Sequence, residues 1–241
     1  MSPPSGTRTL RYGEDPSQLG ELTLPGGTPR GVVVVVHGGF WKSAYDLSLG
    51  RPLAASLVEE GWAAWNLEYR RVGNGGGTPQ TFDDVAAGID RLAGVDGLDT
   101  SVVLTLGHSA GGHLATWAAG RRDARVPVTG VVSQAGVLDL VRADEQSLGG
   151  GAVAALLGHP AGPGDAAYDP AQQVPLDVPV RCVHGRDDDI VPLEQSQRYV
   201  DAATAAGADA TLTEVDGDHF VVIDPGSDSW RVQLDLLDGL G

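Results

Sequence analysis

One stretch restricts this chain more than any other: Gly107-His108-Ser109-Ala110-Gly111. An apolar run, Val102-Val103-Leu104-Thr105-Leu106, leads into it, and Gly112-His113-Leu114-Ala115-Thr116-Trp117-Ala118-Ala119, helical in character, leads away. A strand that reverses into a helix across one serine holds that serine in a strained, left-handed conformation. Side chains two residues to either side would run into neighbouring strand or helix, and glycine avoids this. The turn lifts the Ser109 hydroxyl off the sheet and aims it at the first N–H groups of the helix. Those groups lack intrahelical acceptors and carry the positive end of the helix dipole, so they favour negative charge beside Ser109. In a chain with 35 glycines the pentapeptide could arise by chance; strand before and helix after argue against it. Ser109 reads as a nucleophile.

The remaining segments supply a frame for such a turn. Residues 7–12 and 19–24 alternate polar and apolar side chains and read as antiparallel edge strands. Five consecutive valines, Val32 to Val36, are apolar on both faces, as a central parallel strand covered on both sides requires. Strand-like runs recur at 62–67, 102–106, 126–132, 180–183 and 210–215, with helical patterns at 46–60, 82–92, 112–119, 193–206 and 230–240 between and after them. Residues 69–78 read as a mobile Gly-rich loop. Residues 137–178 loosen into short pieces broken by Gly149-Gly150-Gly151 and Gly158-His159-Pro160, and read as a cap-like insertion. At 241 residues one domain spanning 1–241 is expected, α/β in class, with a mostly parallel, doubly wound sheet. Ligands of such sheets bind beyond the carboxyl ends of the strands, where His37, Ser109, Asp188 and His219 all fall.

A serine needs a base, and the base needs an orienting acid. Of six histidines, His108 and His113 flank the elbow and point away from Ser109, while His159 lies in the insertion. His37 and His184 end strands inside local motifs that suit them to backbone hydrogen bonds. His219, after the last strand, remains. The acid is expected in His184-Gly185-Arg186-Asp187-Asp188-Asp189-Ile190-Val191-Pro192, where the spacing favours Asp188; Asp187 and Asp189 suit helix capping or solvent, and Asp139 is a distant second. The chain order serine, acid, histidine fits. His37-Gly38-Gly39-Phe40-Trp41 lets the N–H groups of Gly39 and Phe40 join that of Ala110 as an oxyanion hole, each donor worth ~3 kcal/mol toward a transition state. Trp41, Tyr69 and His108 are expected to line the substrate pocket.

Composition removes other functions. Acidic residues number 32 against 16 basic, a formal charge of −16, which repels nucleic acid and anionic membranes. One cysteine, Cys182, excludes an intrachain disulfide and a cysteine-based metal site. No histidine pair has zinc-helix spacing, no lysine follows a Gly-rich loop, and the aspartates 187–189 lack calcium-loop spacing, so no cofactor and no metal are expected. The polar, Pro-rich start at 1–6 does not read as a secretory leader, and no run reaches the ~20 apolar residues of a membrane span. The expectation is a cytoplasmic enzyme with a small-molecule partner; a homodimer stays open.

These residues resemble the α/β-hydrolase superfamily over nearly the whole chain. His37-Gly38-Gly39-Phe40-Trp41 with Gly107-His108-Ser109-Ala110-Gly111-Gly112 is similar to small esterases of the hormone-sensitive-lipase type, and the Trp41 variant also appears in kynurenine formamidases. His184-Gly185 through Val191-Pro192 resembles the acid loop of prolyl-oligopeptidase-type hydrolases. The chain departs from the esterase group at Tyr69-Arg70-Arg71 to Pro79, and with no β-propeller expected before the hydrolase part a true oligopeptidase is not the expectation. The resemblance implies a cofactor-free serine hydrolase cleaving a small carboxylic ester through an acyl-enzyme. An arylformamidase is the alternative within the enzymes, and a non-catalytic hydrolase-fold binding protein the alternative outside them.

Overall fold

A computed structural model describes residues 4–241; Met1, Ser2 and Pro3 of the Pro-rich start lie outside the described residues. Eight strands form one sheet in the order β1-β2-β4-β3-β5-β6-β7-β8. β1 (Arg8–Arg11) pairs antiparallel with β2 (Leu19–Thr23), and β2 antiparallel with β4 (Ala63–Leu67). From β4 onward all pairing is parallel, through β3 (Val32–Val36), β5 (Val103–His108), β6 (Gly130–Gln134), β7 (Val180–Gly185) and β8 (Ala210–Val215).

The five valines show why both faces are covered. Val32, Val34 and Val36 pack with Phe82, Val85 and Ile89 of α2 (Gln80–Asp90) and with Leu114 and Ala115 of α3 (Ala110–Ala119). Val33 and Val35 turn to the other layer, against Leu53 and Leu57 of α1 (Arg51–Glu59) and Trp230 and Leu237 of α7 (Asp228–Asp238). Burying such a side chain contributes about 1.5–3 kcal/mol, so the unbroken run fixes β3 at the centre.

Local chemistry moves several boundaries from their sequence expectation. The helical pattern at 46–60 splits: Asp46 caps a short 3-10 turn, Leu47–Leu49, by accepting from Ser48 N–H, and α1 starts after Gly50. A side chain at Gly50 would strike Val35 and Asn66. The run 126–132 becomes a strand only at Gly130, because Pro127 has no N–H to donate and Val126 N–H goes to Asp90 at 3.0 Å. The segment 69–78, expected to be mobile, is pinned: Arg70 forks onto Asp84 at 2.8 and 2.7 Å, and Thr81 Oγ1 donates to Arg70 O at 2.7 Å.

Between β6 and β7, α4 (Leu140–Glu145) and α5 (Ala152–Leu157) bury Leu140, Ala143, Val153 and Leu156 against the core, and α6 (Glu194–Ala205) follows β7. This stretch also touches the segment after β3: Lys42 Nζ donates to Gly149 O at 2.7 Å, and the Phe40 ring abuts Gly149. Among the described residues no helix is long and apolar enough to cross a membrane.

Candidate active site

Ser109 sits between β5 and α3 at φ 57° and ψ −119°, 2% exposed. Its N–H donates to Gln134 O at 2.8 Å, tying the elbow to the end of β6. The flanking glycines are required by close approach. A side chain on Gly111 would fall on the carbonyls of Val36 and His37, and one on Gly107 on the carbonyl of Gly111. β5 and α3 therefore cross with no side chain between them, which holds the turn tight.

The segment after β3 lies beside the elbow. An added Cβ at Gly38 would stand 3.2 Å from the Ser109 Cβ, so the two backbones meet there. Gly39, Phe40 and Trp41 follow at φ 111°, 51° and 54°. Such a run of left-handed residues persists only when its surroundings hold it. Here Val72 N–H donates to Trp41 O at 2.8 Å and Ser43 N–H to Val72 O at 3.0 Å, pairing the segment with the loop after β4. His37 adds a second anchor, with Nδ1 2.8 Å from Gly38 O and Nε2 3.2 Å from Glu68 Oε1. The Glu68 carboxylate also accepts from Leu47 N–H at 3.0 Å and Tyr69 N–H at 2.9 Å, and pairs with Arg71 at 2.9 Å. Burial alone would raise the Glu68 carboxyl, but His37 and Arg71 outweigh it and hold it below the usual carboxylate range.

The loops after β7 and β8 bring Asp188 and His219 together. His219 Nδ1 is 2.6 Å from Asp188 Oδ2, and the other carboxylate oxygen accepts from Ile190 N–H at 2.9 Å and Val191 N–H at 2.8 Å. The Asp188 side chain has no solvent exposure. Burial would raise its carboxyl, yet hydrogen bonds from His184, His219 and Val191 N–H hold it far below the usual carboxylate range. Asp187 and Asp189 face solvent. Asp139 caps α4 by accepting from Arg142 N–H and takes Arg198 Nε at 2.9 Å, away from His219.

His108 links this pair to the elbow. Its Nε2 is 2.9 Å from His219 O, and its ring centroid stands 4.4 Å from that of His219. Burial, then the neighbouring His219, pushes the His108 imidazole down to about 3, so it is neutral and its Nε2–H donates to the carbonyl. The residue before Ser109 thereby fastens the loop that carries His219.

The pocket expectation needs correction at two residues. Trp41 is 1% exposed, with Nε1 donating to His113 Nδ1 at 3.2 Å. Tyr69 is fully buried, with its hydroxyl donating to His37 O at 2.7 Å and its ring stacked on His37 at 4.5 Å. Both brace the segment after β3 from behind, because an indole or phenol with a buried polar partner gains more from the core than from a wet mouth. Three exposed apolar side chains lie close to these segments instead. Tyr45 packs beside Gly39, Leu49 shares a small recess with Gly38 and His108, and the Phe220 ring lies 5.3 Å from that of His219. These are three of the four large apolar side chains exposed among the described residues. Phe220 could have been suspected from its place beside His219; Tyr45 and Leu49 carry no sequence signal, since a turn brings them in.

A mostly parallel sheet with antiparallel leading strands, an elbow serine after β5 and loop-borne acid and histidine after β7 and β8 define an α/β-hydrolase. Within that class, the chain belongs to the BD-FAE family, whose profile matches residues 23–202. It is similar to esterase LipC of Mycobacterium tuberculosis, at 32% identity over 118 residues, 46% of this chain and 29% of that relative's length. Among solved structures it superposes on a truncated carbohydrate esterase from gut microbiota with TM-score 0.81 and 21% identity, covering 98% of this chain and 96% of the other. It also superposes on the thermophilic esterase Est2 of Thermogutta terrifontis with TM-score 0.79 and 21% identity, covering 98% and 92%.

Proposed function

We propose that this protein is a serine hydrolase that cleaves small carboxylic esters through an acyl-enzyme on Ser109. The observation that carries the reading is the 2.6 Å contact between His219 Nδ1 and the unexposed Asp188 carboxylate, on a loop fastened to the residue before Ser109. With a proton held on Nδ1, His219 keeps a lone pair on Nε2 for the Ser109 hydroxyl. Ser109 Oγ attacks the ester carbonyl as its proton passes to His219. The N–H groups of Gly39, Phe40 and Ala110 receive the oxyanion; that of Ala110, at the first position of α3, has no intrahelical acceptor. His219 returns the proton to the leaving alcohol, and water repeats the sequence to free the acid. Every step uses groups of this chain alone.

The esterase names borne by the sequence relative and the structural neighbours support the ester as substrate. Tyr45, Leu49 and Phe220 around the mouth suit a modest apolar or aromatic substituent on it. The stretch 137–178, through Gly149 against Phe40 and Lys42, serves as a cap that closes one side of the site within a single domain.

The test is hydrolysis of p-nitrophenyl acetate and butyrate by the protein and its Ser109→Ala variant, with fluorophosphonate labelling of both. Turnover and labelling that vanish together in Ser109→Ala are the expected result. An active, labelled Ser109→Ala protein, or an inert and unlabelled wild type, overturns the reading. N-formylkynurenine given to the same preparations separates an ester hydrolase from a formamidase.

A further inference from the structure

The Asp188 carboxylate is shared. Besides His219, a second imidazole reaches the same oxygen: His184 Nε2 stands 3.2 Å from Asp188 Oδ2 and 2.9 Å from Val191 O. Both of those partners are acceptors, so Nε2 carries a proton: it donates to Val191 O and faces the Asp188 oxygen at ion-pair distance. The other ring nitrogen fits that assignment, because Nδ1 lies 2.8 Å from Ser196 Oγ, a hydroxyl that can donate to it. His184, Ser196 and the Asp188 side chain are all shut off from solvent. A chain of buried polar contacts thus runs from Ser196 on α6 through His184 to the acid and then to His219.

We propose that His184 is a positioning residue for the Asp188–His219 pair: its Nδ1 is engaged by Ser196, and its Nε2–H holds the Asp188 oxygen that His219 uses. This rests on the acid and base roles proposed above. The physical effect is twofold. An aspartate oxygen with a single partner could swing toward either side of His219; a second donor at a fixed angle confines it. The same donor withdraws electron density from the carboxylate, so Asp188 stabilises a protonated His219 less than an unshared carboxylate would. The charged and titratable groups near this pair are His108 from the end of β5, Cys182 on β7, Asp187 and Asp189 on the acid loop, and Asp218 beside His219. None of them occupies the His184 position on Asp188.

Removing the donor should therefore change a titration as well as a rate. His184→Phe is expected to lower kcat by roughly tenfold with KM within about twofold, and to move the acidic limb of kcat/KM upward by about half a pH unit. His184→Gln, whose amide nitrogen can take the place of Nε2–H, recovers most of both. Ser196→Ala, which frees Nδ1 while removing a single hydroxyl, moves the limb in the same direction by less, and serves if the Phe variant does not fold. A folded His184→Phe or Ser196→Ala protein with an unmoved limb, and a loss only of thermal stability, overturns the proposal. The low-field proton NMR resonance of the His219 Nδ1–H read in wild type and both variants makes a second arm that needs no turnover. If wild type hydrolyses no ester but that resonance moves in the variants, the functional reading falls and the role of His184 stands; an unmoved resonance removes the role of His184 whatever the activity.

Discussion

His219 Nδ1 lies 2.6 Å from Asp188 Oδ2, while the other oxygen of the same carboxylate is held by two consecutive backbone N–H groups of its own loop. Those two N–H groups, with His184 beside Oδ2, hold the acid on the side that faces the His219 ring. Replacing the carboxylate by an amide of the same shape, Asp188→Asn, offers a donor where an acceptor is needed and turns the imidazole to the other tautomer. Steady-state kinetics should show kcat lower by about 10³–10⁴ with little change in KM.

The same carboxylate predicts a pH dependence of stability. Its native value is depressed, so it contributes stability that is fully present above the ordinary carboxylate value of 3.8 and is lost as pH falls below it toward the native value. Chemical denaturation between pH 6 and about pH 2 should show wild type losing more stability than Asp188→Asn below about pH 4.

Ser109 is strained, at φ 57° with a side chain. Glycine accepts that conformation without a clash, so Ser109→Gly should raise the unfolding free energy by about 1 kcal/mol over Ser109→Ala, although both lack the proposed nucleophile. Urea unfolding of the two variants, side by side, measures the difference.

Gly111 is placed against the carbonyls of Val36 and His37 with no room for a methyl group. Gly111→Ala must push α3 away from β3, and a loss of more than about 2 kcal/mol of stability is expected. A thermal melt within a degree of wild type would show that the crossing is looser than described.

Glu68 braces the segment after β3 through His37, Leu47 N–H and Arg71. Glu68→Gln keeps the volume and leaves these donors with a weaker acceptor. The N–H groups of Gly39 and Phe40 then lose their fixed aim, and kcat should fall by roughly tenfold or more while KM changes less. Retained labelling of Ser109 by a fluorophosphonate would show that the nucleophile itself is intact.

Much of this fold is legible in one dimension because the decisive signals are local. Five valines with no polar interruption can be satisfied only by cover on both faces, and a strand, a small-residue turn and a helix around Ser109 need no distant partner to be recognised. The errors have equally local causes that a pattern does not weigh. Pro127 withholds an N–H from a run that is otherwise β-branched, and Gly50 is needed where a side chain would meet Asn66. In the candidate site, Ser109, the three adjacent aspartates and the His-Gly-Gly turn stand out in sequence because each follows a strand end; that Asp188 is the aspartate beside His219 is a structural finding.

What the chain order alone determined was which kinds of group stand at the strand ends: a serine after β5, an acid after β7, a histidine after β8, and glycines where backbones cross. What tertiary structure decided is which partners those groups hold. Trp41 and Tyr69 look like pocket residues until their buried hydrogen bonds to His113 and His37 assign them to the wall behind it. His184 looks like one more strand-end histidine until α6 sets Ser196 on one nitrogen and the loop after β7 sets Asp188 near the other. A hydrogen-bond partner many residues away leaves no periodic trace in sequence; it exists only once separate strands and helices have packed, because its energy depends on distances of a few tenths of an ångström that packing alone sets.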